Sequence, residues 1–266
     1  MNTVPAAAGR SATAVQTIER GMQVLRAFRA DRAPLTNAEL VRRTGLSKAT
    51  VSRLTSTLLQ LGYLRHVAGE RSFELAAGSF AMGHAFLHGS DLVRRAQPLL
   101  QALAERLGGS AALAVADDLD MIYIAYGASH RVATLRLGVG SVLPMGMTAI
   151  GRAYVWALPP AERARRLAQL RAHAGPQLAA LDRGLAESFA ELASTGLCSV
   201  SDGALRDTYG LALPVHVGRQ RLLMGLSCGR AVMAPDLAAE RQRVAPLLLQ
   251  GAAELESLLA DADGQP

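Results

Sequence analysis

The sequence predicts an α+β chain in two parts: a small basic domain built from short helices and a hairpin, then, through a linker helix, a larger mixed α/β domain. Three observations predict it. The chain has 266 residues, enough for two domains at about 100 to 200 residues each. Its positive charge sits at one end, because residues 1–75 hold 11 Lys and Arg against 5 Asp and Glu while residues 76–266 hold 17 against 17. Two capped helical segments around a glycine come early, and the later segments run strands, helices, strands and a final helix.

Composition narrows the class further. Half of the residues are apolar and 19% are charged, the balance of a globular protein rather than a disordered one. Apolar stretches are short: the run through Ala111 and Ala116 is broken by Asp117 and Asp118, far below the roughly 18 residues of a membrane span. No membrane association is expected. Residues 1–17 carry no apolar block behind a basic head, as a secretory leader would, and the cytoplasm is the expected compartment. The two cysteines, Cys198 and Cys228, are too few for a disulfide framework or a Cys-rich metal site and read as reduced core thiols.

Residues 1–14 read as a frayed tail, small and polar without periodicity. From residue 15 the apolar positions Ile18, Met22, Val24, Leu25 and Phe28 fall at helical spacing, and Ala33-Pro34 marks the end of that helical region. Thr36-Asn37-Ala38-Glu39 has the form of a capping box, with Thr36 accepting a backbone N–H and Glu39 reaching back. Gly45 tolerates the left-handed conformation that ends a helix, and Ser47 caps the next one, which meets no breaker over residues 48–60. This is the helix-turn-helix pattern. At about 100° per residue Val51, Leu54 and Leu58 face the core, and Ala49, Ser52, Arg53 and Ser56 face away, flanked by Lys48 and Thr50. That outer face is small, polar and basic, as a helix entering a roughly 12 Å major groove must be. Residues 61–75 alternate around Gly69 as a hairpin, which makes residues 15–75 a winged helix-turn-helix domain with Arg65 and Arg71 placed to touch phosphates.

Residues 76–89 form the linker helix. It is apolar apart from Gly78, Gly83 and two histidines, and its apolar side calls for cover, from a partner chain or from the rest of its own. Residues 90–266 make the larger domain. A helix at 91–107 precedes strands at 110–116 and 121–126, with a third strand at 135–137. Helices at 148–158, 161–174 and 178–194 follow, then strands at 198–201, 211–217 and 222–227. A closing helix at 236–260 contains Pro246, which should kink or divide it. The sum is a mixed sheet with flanking helices.

Thr17-Ile18-Glu19-Arg20-Gly21, Leu35-Thr36-Asn37-Ala38-Glu39-Leu40, Thr44-Gly45-Leu46-Ser47-Lys48-Ala49-Thr50-Val51-Ser52-Arg53-Leu54 and Leu61-Gly62-Tyr63-Leu64 together resemble the amino-terminal domain of IclR-type transcriptional regulators. The likeness continues through Ser141-Val142-Leu143-Pro144-Met145, Thr148-Ala149-Ile150-Gly151-Arg152-Ala153 and Leu213-Pro214-Val215, nearly the whole chain. It implies a linker helix that helps dimerise, a GAF-like effector-binding domain, and dimers or dimers of dimers on partly palindromic double-stranded DNA operators. The candidate DNA-contacting residues are Thr36, Ser47, Lys48, Ala49, Thr50, Ser52, Arg53, Arg65 and Arg71.

For a ligand, Thr148 is a good N-cap, so the amides of Ala149 and Ile150 would face an anion with the helix dipole behind them. The resemblance lines the effector pocket with Met145, Ala149, Ile150, Asp202, Gly210, Leu211, Ser227 and Gly229. It departs at Gly146 and Met147, where family members often carry His and then Ala. The effector expected is a small organic acid, aromatic acids among them, with no cofactor and no metal.

One enzyme reading competes. Gly225-Leu226-Ser227-Cys228-Gly229 fits the G-x-S-x-G elbow that presents a nucleophilic serine in α/β-hydrolases. There the histidine follows the serine in the chain, whereas His66, His84, His88, His130, His173 and His216 all precede Ser227. The order fails, and Ser227 reads as a strand residue facing a pocket. His84 and His88 have the i, i+4 spacing of a zinc pair but lack the neighbouring Glu.

Overall fold

The computed structural model of the chain describes residues 12–28, 34–130, 137–203, 207–231 and 236–262. Two compact units divide it, Met1–Ala85 and Phe86–Pro266.

In the first unit, helix α1 (Ala12–Arg26) starts inside the segment read as a tail and stops before Ala33-Pro34. Its apolar residues lie on two sides: Val24 is fully buried, while Ile18 and Met22 stay exposed, because at about 100° per residue position 24 lies nearly opposite position 22. Strand β1 (Leu35–Thr36) leads into α2 (Asn37–Thr44), and α3 (Lys48–Gln60) follows after a turn closed by Gly45 at φ +68°. Strands β2 (Leu64–His66) and β3 (Ser72–Leu75) form the wing. β1 pairs with the far side of β3, Leu35 opposite Phe73, and makes the wing three-stranded. Val24, Leu40, Val51, Leu54, Leu64 and Phe73 fill the core.

Helix α4 (Ala77–Gly89) has no buried residue. Its start is nonetheless held by two backbone hydrogen bonds and one from a side chain: Ala76 N donates to Tyr63 O at 2.9 Å, Gly78 N to Gly62 O at 3.1 Å, and Ser79 Oγ to Tyr63 O at 2.9 Å. A Cβ on Gly78 would stand 2.7 Å from Gly62 O, so only glycine permits this approach.

The second unit is a six-stranded sheet in the order β6-β5-β4-β9-β8-β7. Its elements are α5 (Asp91–Leu107), β4 (Ser110–Asp117), β5 (Asp120–Ala128), β6 (Val142–Pro144), α6 (Ala149–Ala157), α7 (Pro160–Ala174), α8 (Leu178–Thr195), β7 (Cys198–Ser201), β8 (Thr208–Val217), β9 (Leu222–Ala231) and α9 (Leu237–Leu258). Every pairing among the described residues is antiparallel, unlike the expected mixed sheet. β4–β5, β7–β8 and β8–β9 are chain neighbours, and such short returns permit only antiparallel pairing.

Helices α5 and α9 cover one face through Leu100, Leu103, Val244 and Leu248, and α6 and α8 cover the other through Ile150, Val155, Leu185 and Leu192. α9 runs unbroken through Pro246, where a kink or break is expected; Val244 and Leu248, both fully buried, hold the helix on the sheet on either side of it. The expected strand at 135–137 falls mostly outside the described residues, which include only Leu137 of it, and β6 is a strand not expected. Among the described residues no helix is long and apolar enough to cross a membrane.

Candidate nucleic-acid interface and ligand cavity

Ser47 caps α3 by accepting from Thr50 N at 3.3 Å, and its hydroxyl lies 2.9 Å from that of Thr50. Val51, Leu54 and Leu58 are buried beneath the helix, so Lys48, Ala49, Ser52 and Arg53 are exposed on its outer side with Thr50 half-buried at the edge. Thr36 caps α2 through Glu39 N at 3.2 Å. The reciprocal half of the capping box is absent: the Glu39 carboxylate accepts from Arg42 Nε at 3.1 Å and Arg43 Nε at 3.0 Å instead. Two charge-assisted bonds outcompete one neutral backbone amide, and they hold the Glu39 carboxyl down at about 2. On the wing Arg65 pairs with Glu74 across the strands at 2.9 Å, and Arg71 is exposed just before β3.

The second unit holds a half-open cavity of about 70 Å³ between the start of α6 and the sheet. Strand register builds its floor. Gly210 on β8 faces Gly229 on β9, which faces Ser110 on β4; two adjacent glycines put no side chain into the space above them. In the neighbouring row Ser227 lies between Ala112 and Ala212. Thr148 caps α6, its hydroxyl accepting from Gly151 N at 3.3 Å and donating to Pro144 O at 3.0 Å. Arg152 N takes the Thr148 carbonyl at 3.0 Å, so the amides of Ala149 and Ile150, which line the cavity, are left as unpaired donors at the positive end of the helix. Gly151 lets the helix start against Met145, whose backbone a Cβ there would strike.

Arg152 fixes this helix start. Its guanidinium donates to Gly146 O at 3.0 Å, Gly184 O at 2.9 Å and Ser188 Oγ at 3.2 Å, all neutral acceptors, and burial lowers its pKa. Opposite, burial pushes the Tyr123 phenol up to about 12, partly offset by its hydrogen bond with Ser227. Ser110, Tyr123, Thr148, Thr208, Tyr209 and Ser227, all hydroxyl-bearing residues, line the cavity, and no charged residue among the described ones does.

Five of the eight expected effector residues meet here: Ala149, Ile150, Gly210, Ser227 and Gly229. Three do not line the cavity. Leu211, one position past Gly210, points to the opposite face and packs with α5 and α9, as alternation along a strand requires. Met145 is fully buried in the core beside α6. Asp202 stands exposed past the end of β7 in a left-handed turn, φ +49°.

Tyr123 was not foreseen, and a bulge explains why. Leu113 pairs with Ala125 but Ala114 pairs with Tyr123, so Ile124 is the extra residue. The slip brings Tyr123 and Tyr126, three apart, to one side, with rings 6.0 Å apart and 20° from parallel. Strict period-two reading would put them on opposite faces.

Ser227 is no nucleophile elbow. It sits mid-strand, paired on both sides, with no strand-to-helix turn, and its hydroxyl meets a tyrosine rather than a histidine.

Comparison with known proteins agrees with this architecture. The IclR helix-turn-helix domain matches residues 17–68, and the bacterial transcriptional regulator IclR C-terminal domain matches residues 84–256. The chain belongs to the IclR family. Its members are DNA-binding transcriptional regulators, not enzymes. The chain is 28% identical over 242 residues to the Pca regulon regulatory protein of Pseudomonas putida, covering 90% of this chain and 82% of that one. An IclR family transcriptional regulator from Brucella abortus is 30% identical, covers 92% of each chain and superposes with a TM-score of 0.82. The fold also matches an IclR homologue from Microbacterium hydrocarbonoxydans complexed with 4-hydroxybenzoate, at 19% identity and a TM-score of 0.62, covering 91% of this chain and 98% of that one.

Proposed function

We propose that this IclR-family chain is a cytoplasmic, effector-responsive regulator that binds a partly palindromic operator as a dimer or a dimer of dimers. In this reading the exposed side of α3, with Lys48, Ala49, Thr50, Ser52 and Arg53, enters the major groove; Thr36, Ser47, Arg65 and Arg71 contact the phosphate backbone. One recognition helix spans too few base pairs for specific control, which favours paired half-sites. Phe80, Met82 and Phe86 of α4 are 73%, 49% and 42% exposed in the single chain, an apolar surface that a second copy would cover.

The effector in this reading is a small aromatic monocarboxylic acid. The observation that carries it is the cavity wall: the amides at the start of α6, which lack acceptors within the helix, for the carboxylate, the hydroxyl-bearing Ser227 and Tyr123, and apolar Ile150 and Leu143. The 4-hydroxybenzoate held by the Microbacterium relative and the Pca regulon role of the Pseudomonas one support this class. The test starts from an operator selected out of random duplexes. Its affinity is measured by fluorescence anisotropy as 4-hydroxybenzoate and the neutral 4-hydroxybenzamide are added. The acid should shift operator affinity by about 5- to 150-fold and the amide should not. An equal response to both compounds, or to neither acid nor amide, would overturn the assignment.

A further inference from the structure

Behind the glycine floor, on the opposite face of the sheet, lies a compact knot of polar side chains. Tyr209 and Arg230 are cross-strand partners on β8 and β9, immediately beside the Gly210–Gly229 pair. The Tyr209 side chain is buried, and its hydroxyl donates to Glu240 Oε2 in the first turn of α9. Glu240 also accepts from Arg230 Nη1 at 3.1 Å and from Arg243 Nη2 at 2.7 Å. Arg243 in turn donates through Nη1 to Leu107 O at 2.7 Å, the last residue of α5. Burial alone would raise the Glu240 carboxyl, but hydrogen bonds from Tyr209 and Arg243 and the nearby arginine charges hold it below its usual range. The carboxylate therefore stays ionised and the knot stays closed.

Three features mark this knot as a connection rather than a surface ion pair. It begins at a strand pair that lines the cavity and ends on the helix whose first residue, Asp91, follows the linker helix through the Ser90 cap. Its atoms are short-tethered, because Arg230 lies against Gly109, where a Cβ would stand 2.8 Å from Arg230 Cγ. And Arg230 Nε is buried without a hydrogen-bond partner, so the closed arrangement leaves one donor unsatisfied. Packed elements with two arrangements of similar energy are what a coupling path requires.

We propose that Tyr209, Glu240 and Arg243 form a relay that converts occupation of the cavity into displacement of the carboxyl end of α5, and thereby couples effector to operator. A ligand resting on the Gly210 and Gly229 backbone presses on the strand pair whose next residues, Tyr209 and Arg230, grip Glu240; Glu240 moves Arg243, and Arg243 holds Leu107. Tyr209 is at the cavity wall, whereas Glu240 and Arg243 do not line it, so substituting those two should separate binding from response. The inference rests on the effector reading above.

The test uses the full chain, 4-hydroxybenzoate as probe and the selected operator. Glu240→Gln keeps the side chain's shape but removes the charge that gathers Tyr209, Arg230 and Arg243; Arg243→Met breaks the path at its other end. For each variant and the double variant, calorimetry gives the dissociation constant of the probe, and anisotropy gives operator affinity with and without it. The expected result is probe and bare-operator affinities within about twofold of wild type in all three variants, with the response, about 5- to 150-fold in wild type, cut to under twofold in each. Links in series fail alike, so the double variant should be no worse than either single. A single variant that keeps the wild-type response, or losses that multiply in the double variant, would overturn the relay alone. Absence of probe binding to wild type would instead overturn the effector reading, and the relay with it.

Discussion

Replacing Gly210 with Val tests whether the cavity is made by the absence of side chains. A Cβ at Gly210 would meet Cys228 O at 3.6 Å and Ala149 Cβ at 3.9 Å, ordinary van der Waals separations, and the residue lies within β8. Glycine inside a strand is destabilising by roughly 0.5 to 1 kcal/mol relative to alanine, and valine suits a strand better still. The variant should therefore gain about 1 kcal/mol, which for a domain of this size raises Tm by about 2 to 4 °C. The branched side chain projects into a space of only about 70 Å³ and should exclude the ligand. In wild type, a ligand at 100 times its dissociation constant contributes about 2.7 kcal/mol, or roughly 5 to 11 °C. Differential scanning fluorimetry with 4-hydroxybenzoate should show that shift in wild type and none in the variant, while operator binding without ligand persists. A variant that is destabilised, or that keeps the full ligand shift, would refute the reasoning.

Gly151→Ala should destabilise the second unit by about 1 to 3 kcal/mol, since its Cβ would strike the Met145 backbone; chemical denaturation checks this, and a neutral result would mean that the start of α6 is mobile. Arg53→Ala should cost about 1 to 3 kcal/mol on the selected operator and relax base preference, whereas Arg65→Ala or Arg71→Ala should weaken all duplexes alike and lower the salt slope by about one; anisotropy across a salt series separates the two classes. Burial pushes both Cys198 and Cys228 up to about 12, so neither thiol should react with a thiol reagent at pH 8 until the chain is denatured. Because Glu39 has a folded value of about 2 against 4.5 unpaired, its contribution is present above about pH 4.5 and is lost as pH falls toward 2. Glu39→Gln should lower the stability of the first unit at neutral pH and flatten its loss across that window, as read by acid titration of far-UV circular dichroism.

What the sequence disclosed was mostly local. The caps at Thr36, Ser47 and Thr148 and the left-handed stop at Gly45 depend on residues three or four apart, and α2, α3, α5 and α6 start and end within about a residue of expectation. Features that depend on pairing between distant segments were hidden. β1 is two residues long and exists only because β3 accepts it. Leu211 was assigned to the pocket by likeness of position, but one step along a strand reverses the face, and only register decides which residue of a pair looks inward. Tyr123 was invisible for the same reason, since the bulge at Ile124 is a property of two strands together. Glu39 failed differently: the capping pattern was present, but Arg42 and Arg43 were better partners.

The clamp at Gly78 gives the linker helix a mechanical meaning. Three hydrogen bonds fasten its first turn to the Leu61–Tyr63 corner, directly after the recognition helix ends. On the reading proposed above, α3 and α4 would turn together as a bent lever whose angle is set where Gly78 meets the Gly62 carbonyl. The 13 residues of α4 span about 20 Å, so a tilt of about 5° at the far end carries the base through about 2 Å. That is enough to lift a guanidinium out of hydrogen-bonding range of a base edge. On the proposed function, small angular changes at the top of such a lever would become a choice between reading a half-site and missing it, and any residue larger than glycine at position 78 would reset the angle itself.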